Sequence, residues 1–224
     1  MLVSPKVDTY LRRLTAQVES VFGQKLTAVW LLGSAAYGGF NDSSDLDVQA
    51  ATESEPTGEE LDHLISLIVP RLHSCPAAAL EFVLYDRAVL AAPAAPLRWS
   101  LNINGGPQRP AEVSRDPGTE SWHWFILDLA IGRDLAVTLF GVDLSDVVRP
   151  IDRDLQLAAI EESLRWYEEH EPLSHDHLSN PVRALRYLMA GEWGSKRTAL
   201  AWLAESGRTE RQAMAELRMR LQME

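Results

Sequence analysis

LLGSAAYGGFNDSSDLDV, residues 31–48, joins the end of one apolar run to the head of another through a loop of small residues. Gly33 and Ser34 close the first run, and Asp45 and Asp47 stand one residue apart where the second begins. In a strand, residues i and i+2 point to the same face, so the two carboxylates share a face and Leu46 takes the other. Carboxylates held that close repel unless a cation lies between them. Magnesium suits them, because it is a hard ion that accepts carboxylate oxygens and keeps positions for water and substrate phosphates. A glycine at 33 lets backbone N–H groups approach a phosphate, and Ser34 adds a hydroxyl donor. The turn and the carboxylates therefore address one triphosphate from two sides.

Working outward, LTAVWLLGS reads as a buried strand, and residues 5–23 carry apolar positions at helical spacing up to Gly23. LDVQAAT (46–52) is a second strand, and SEPTGEELDHLISLIVPRLHS contains a helix with Leu61, Leu64, Ile65 and Ile68 on its apolar side. LEFVLYD (80–86) is a third strand, with Leu80, Phe82 and Leu84 on one face and Glu81 on the other. A charge inside such a strand is costly unless it is paired or coordinates metal. Glu81 thus supplies the third carboxylate of a two-metal arrangement, whose ions lie about 3.5–4 Å apart. LRWSLNIN (97–104) reads as a fourth strand and GGPQRPAEVSRDPG as a loop.

From Glu120 onward the period changes to that of a helix. WHWFILDLAIGRDLAVTLFG, RDLQLAAIEESLRWYEEH, NPVRALRYLMAGEW, SKRTALAWLAES and TERQAMAELRMRLQ are the expected helices. Trp122, Trp124, Trp166 and Trp193 fall at helical spacing and read as core or interface. The fold class is α+β: a mixed sheet with helices in the first part, then a helical domain. VVRPIDRD (147–154), broken at Pro150, is the joint, giving domains 1–150 and 151–224.

The chain has 224 residues, 46% of them apolar and 24% charged, ordinary values for a soluble globular protein. No apolar run approaches the ~20 residues of a membrane span, and the N-terminus lacks the pattern of a signal peptide. A lone cysteine, Cys75, excludes an internal disulfide and a cysteine-based zinc cluster, so the expected location is the cytoplasm. Lysine and arginine number 21 against 32 acidic residues, and 21 − 32 gives a net charge of −11. That surface repels a nucleic-acid polymer and attracts a polycation. With no Walker A and no Gly-x-Gly-x-x-Gly pattern, P-loop and dinucleotide readings have no support.

The order of these features resembles the nucleotidyltransferase superfamily of the polymerase-β type. Within it the chain is similar to the aminoglycoside nucleotidyltransferases that adenylylate streptomycin and spectinomycin. GSAAYGGFNDSSDLDV matches that group's nucleotide-site motif, and LEFVLYD stands where the group has its third carboxylate. LDLAIGRDLAVTLFGVDLSDVVRPI looks like its domain-closing helix. The resemblance covers most of the chain, is strong over 31–48 and loosens beyond 155.

This resemblance implies a cytoplasmic antibiotic-resistance enzyme with ATP as co-substrate and two magnesium ions. It would transfer AMP to a hydroxyl of a cationic acceptor and release pyrophosphate, with neither nucleic acid nor membrane as partner. By position, Gly33 and Ser34 resemble the phosphate-contacting turn, and Asp45 and Asp47 the metal ligands. Glu81 resembles the base that activates the drug hydroxyl, with a role as metal ligand left open. Lys196, at the head of a C-terminal helix, and Arg186 resemble triphosphate contacts. Asn104 or Trp99 stands at the family's drug-gripping tryptophan, and Asp176 near its aspartate, where chain lengths differ. Two other readings stand beside this one: a nucleotidyltransferase acting on a protein or another metabolite, and a non-catalytic nucleotide-binding or antitoxin-like protein.

Overall fold

The computed structural model describes residues 4–169 and 175–223, apart from the side chains of 175–178. Helix α1 (Pro5–Phe22) begins where Ser4 accepts the Val7 N–H and Pro5 presets the first turn, and it stops at Gly23. Its buried residues Val7, Leu11, Leu14, Val18 and Phe22 form the single apolar stripe that the spacing predicts. Then follow β1 (Leu26–Leu31), the short α2 (Gly33–Tyr37) and β2 (Leu46–Thr52). Helix α3 (Gly58–Ile68) starts in a capping box between Thr57 and Glu60. It crosses to β3 (Leu80–Asp86), which is followed by α4 (Arg87–Ala91), β4 (Leu101–Gly105) and β5 (Glu112–Ser114).

The chain continues through α5 (Trp122–Leu135), β6 (Val137–Gly141) and α6 (Leu144–Val147). It closes with α7 (Arg153–Glu169), α8 (His175–Ala190), α9 (Lys196–Glu205) and α10 (Glu210–Leu221). The described strands form one mixed sheet in the order β5-β4-β3-β2-β1-β6. Strands β2 and β3 are parallel, and the remaining neighbours are antiparallel. The parallel pair needs a crossover, which α3 provides. Its consequence for the site is direct: the heads of β2 and β3 lie side by side at one end of the sheet.

Each face of the sheet buries its own cluster. On one face Leu31, Leu46, Val48, Leu80 and Phe82 pack with α1 and α3. On the other, one apolar cluster runs from Trp30 of β1 through Phe125 and Leu129 of α5 to Leu185, Leu203 and Leu217 of the C-terminal helices. The helical region therefore shares a core with the sheet through α5.

Three local expectations are corrected. The helix expected over 122–141 stops at Leu135, and Val137–Gly141 pairs antiparallel with β1. Val137, Thr138 and Phe140 are β-branched or aromatic, and the free edge of β1 offers hydrogen bonds that a lone helical turn cannot match. Trp30 Nε1 donates to the Val142 carbonyl at 2.8 Å and fixes the end of that strand. The loop expected over 105–118 contains β5, paired with β4. The fourth strand begins at Leu101, because Leu97 and Trp99 turn into the core beforehand. No helix among the described residues is long and apolar enough to cross a membrane.

Candidate active site

The turn between β1 and β2 is built around a missing side chain. Gly33 has φ +62, a left-handed conformation, and a Cβ placed on it would lie 1.6 Å from Asp47 Oδ2. Asp47 is thereby folded against the turn, and its carbonyl accepts the Leu32 N–H at 2.8 Å. The rest of the loop is locked locally. Asn41 Oδ1 accepts the Ser43 N–H at 2.9 Å, and Ser44 Oγ accepts the Asn41 N–H at 3.0 Å. This delivers Asp45 to the head of β2.

The parallel register sets Asp47 beside Glu81, and the antiparallel register sets Glu81 beside Asn104. Three polar side chains therefore form a row across β2, β3 and β4 on the face opposite α1 and α3. Asp47 and Glu81 lie within hydrogen-bond reach, a protonated Glu81 donating to Asp47. Burial first, then repulsion among the neighbouring carboxylates, raises both above the usual carboxylate range. The pair keeps a shared proton near neutrality. Arg109 opposes this effect: its Nη1 lies 3.6 Å from Asp45 Oδ2 and 3.8 Å from Glu81 Oε1.

The row lies in a cleft of about 780 Å³ whose other wall comes from α5, α7, α8 and the N-terminus of α9. Lys196 and Arg183 line that wall, and Gly33, Ser34, Asp45, Asp47, Glu81 and Asn104 line the sheet side. Lys196 feels the charges of Asp47, Asp128 and Glu81, while desolvation within the cleft and the neighbouring Arg183 pull its ammonium down. Asp128, on α5, is pushed up to about 7 by burial, with Arg183 and Lys196 opposing the shift and Glu81 adding to it. Arg183 is held by Asn180, its Nη2 donating to Oδ1 at 2.9 Å.

Other expected residues lie apart from this cluster. Arg186 is one helical turn beyond Arg183 and pairs with Glu192 at 2.7 Å, outside the cleft lining. Trp99 is 4% exposed and packs against Phe125 in the core, so its ring is not presented to the cleft. Asp176 belongs to α8, but its side chain lies outside the described residues.

Asp128, Arg183 and Arg109 were not singled out from the sequence. Asp128 carried a usable signal, being the sole charge in WHWFILDLAIG. For Arg183 the signal was equivocal, since NPVRALRYL offers two arginines three residues apart and periodicity alone does not say which faces the sheet. Arg109 had none, because it sits in a loop.

Among the described residues, no three carboxylate, imidazole or thiol groups stand as a finished metal cage. The donor set nevertheless fits a hard divalent cation. Asp45 Oδ1 is buried without a hydrogen-bond partner among the described residues, and Asp47 and Glu81 retain a proton where a cation would offset their charge.

A mixed sheet with a Gly-Ser turn, aligned carboxylates on adjacent parallel strands and a helical wall opposite is a fold that this chain shares with a solved structure. The chain is similar to the solved structure of spectinomycin adenyltransferase AAD(9) from Enterococcus faecialis with ATP and spectinomycin. The TM-score is 0.66 at 14% identity, over 96% of this chain and 90% of that one. No protein-family model and no curated sequence matches.

Proposed function

We propose that the protein transfers AMP from ATP to a hydroxyl of a cationic small molecule of the streptomycin or spectinomycin class, releasing pyrophosphate. One observation carries the reading: Asp45, Asp47 and Glu81 on the sheet face Lys196 and Arg183 across one cleft. Anionic groups that gather a cation on one side and fixed cations on the other are what a triphosphate needs. The fold shared with AAD(9), whose structure holds ATP and spectinomycin, supports the same reading.

In this mechanism the Gly33–Ser34 turn and the two cations hold the phosphates. Asp45 and Asp47 would hold magnesium, which would supply positive charge to offset the carboxylates and the triphosphate; Glu81 would then give up its retained proton to solvent. Glu81 then takes the proton of the acceptor hydroxyl as that oxygen bonds to the α-phosphorus. The bond from the α-phosphorus to the bridging oxygen breaks, and pyrophosphate leaves with the electron pair. Catalysis rests on positioning and on charge stabilisation. A net charge of −11 draws a cationic acceptor toward the protein.

Incubation with ATP, magnesium and a panel of aminoglycosides, followed by mass spectrometry, tests the proposal. One AMP added to a drug supports it. AMP added to a protein favours the alternative acceptor, and no AMP on any acceptor defeats the enzymatic reading.

A further inference from the structure

Arg109 lies where a cation belongs. Its guanidinium spans the Asp45 and Glu81 carboxylates at 3.6 Å and 3.8 Å, both from the same Nη1. The loop that carries it is braced against the strand heads that carry those carboxylates. A Cβ on Gly106 would meet the Ala78 carbonyl oxygen at 2.2 Å, so the chain passes there with no space to spare. The Gly106 N–H donates to the Arg109 carbonyl at 3.1 Å, and Pro107 and Pro110 stiffen the turn between. Ala78, the residue against which Gly106 packs, donates to the Ser44 carbonyl next to Asp45. The backbone under Arg109 is therefore fixed relative to Asp45 and Glu81, while its side chain stays 47% exposed and has room to swing out.

We propose that Arg109 is a tethered counter-ion that holds the cation position between Asp45 and Glu81 until magnesium enters together with ATP. The inference rests on Asp45 and Glu81 belonging to the metal site. A guanidinium carries one charge and is attached to the protein, so it competes with a free divalent ion at low cost in entropy. It gives way when the triphosphate brings further oxygen ligands to the metal. Metal alone then binds weakly, and loading is ordered so that the ion arrives on the nucleotide. The arrangement also keeps the carboxylates from repelling one another while the cleft is empty.

Calorimetric titration of the nucleotide-free, full-length protein with Mn²⁺ tests this. Arg109→Gln removes the charge with similar bulk and is expected to bind Mn²⁺ at least about tenfold more tightly than the wild type, since a like charge within 4 Å is lost. Arg109→Ala should give the same direction, and Arg109→Lys should stay near the wild type. Equal or weaker Mn²⁺ affinity in both neutral variants overturns the inference. If the wild type and the variants all bind and turn over Mn²⁺·ATP while metal-only affinity is unchanged, the inference falls alone. If none of them binds Mn²⁺·ATP, the proposed function falls with it.

Discussion

Gly33 and Asp47 compete for one volume: the place a side chain would take at residue 33 is filled by Asp47 Oδ2, 1.6 Å from the ideal Cβ position. Gly33→Ala forces the carboxylate away and strains a backbone at φ +62, at a cost of roughly 1–2 kcal/mol for the left-handed residue alone. The expected result is a folded protein with a lowered melting temperature and adenylyl transfer reduced at least about a hundredfold, as misplacement near reacting atoms commonly costs. Thermal melting beside a turnover assay checks it. Wild-type turnover in Gly33→Ala would show that the position of Asp47 does not matter.

Glu81 has two available roles, and the register that sets it beside Asp47 suits both. Glu81→Gln keeps size and hydrogen bonding but does not take up a proton. As a base variant it binds ATP with magnesium normally while product formation falls by about 10²–10⁴-fold. As a ligand variant it loses nucleotide affinity together with rate. Calorimetry with ATP and magnesium, run beside turnover, separates the two outcomes. Near-normal turnover removes Glu81 from the chemistry.

Arg183 and Arg186 are three residues apart on α8 and differ in what they face. Arg183 faces Asp128 and Asp47 in the cleft, whereas Arg186 is paired with Glu192. Arg183→Gln is expected to weaken ATP binding by about tenfold or more, in line with a charged hydrogen bond worth roughly 1.5–3 kcal/mol. Arg186→Gln breaks an ion pair near the surface, worth about 0–1 kcal/mol of stability, and leaves nucleotide affinity close to wild type. Equal losses of affinity in the two variants would contradict the assignment.

Two buried groups tie the stability of the ligand-free protein to pH with opposite signs, both acting below neutrality. Asp128 keeps its proton up to about pH 7 when folded, against an ordinary value of 3.8. As pH rises through that window the unfolded chain releases a proton that the folded chain retains, so stability falls. His123 is 0% exposed, neither ring nitrogen has a hydrogen-bond partner among the described residues, and burial lowers its value from 6.5 to about 4. As pH falls through that window the unfolded chain takes up a proton that the folded one refuses, and stability falls again. Each limb is at most about 1.4 kcal/mol per pH unit for one proton. Melting temperatures across this pH range are expected to show Asp128→Asn gaining on the wild type as pH rises and His123→Phe gaining as pH falls. A gap that stays constant with pH would disprove the corresponding limb.

What could be read from the sequence alone was whatever local chemistry determines. Alternation and turn residues placed the first three strands, and the α1 stripe and the Thr57 cap placed their helices. The period-two geometry of a strand put Asp45 and Asp47 on one face, and a charge in the interior of LEFVLYD marked Glu81. Only the tertiary structure decided which residues meet from far along the chain. Val137–Gly141 became a strand because β1 had a free edge, a partner more than a hundred residues upstream. Arg183 rather than Arg186 turned toward the sheet because packing against α7, α9 and α10 sets the rotation of α8. Arg109 reached the carboxylates because Gly106 permits its loop to pass against Ala78. Periodicity reports the environment of a residue on its own element, whereas an approach between distant elements depends on three-dimensional packing that no local pattern encodes.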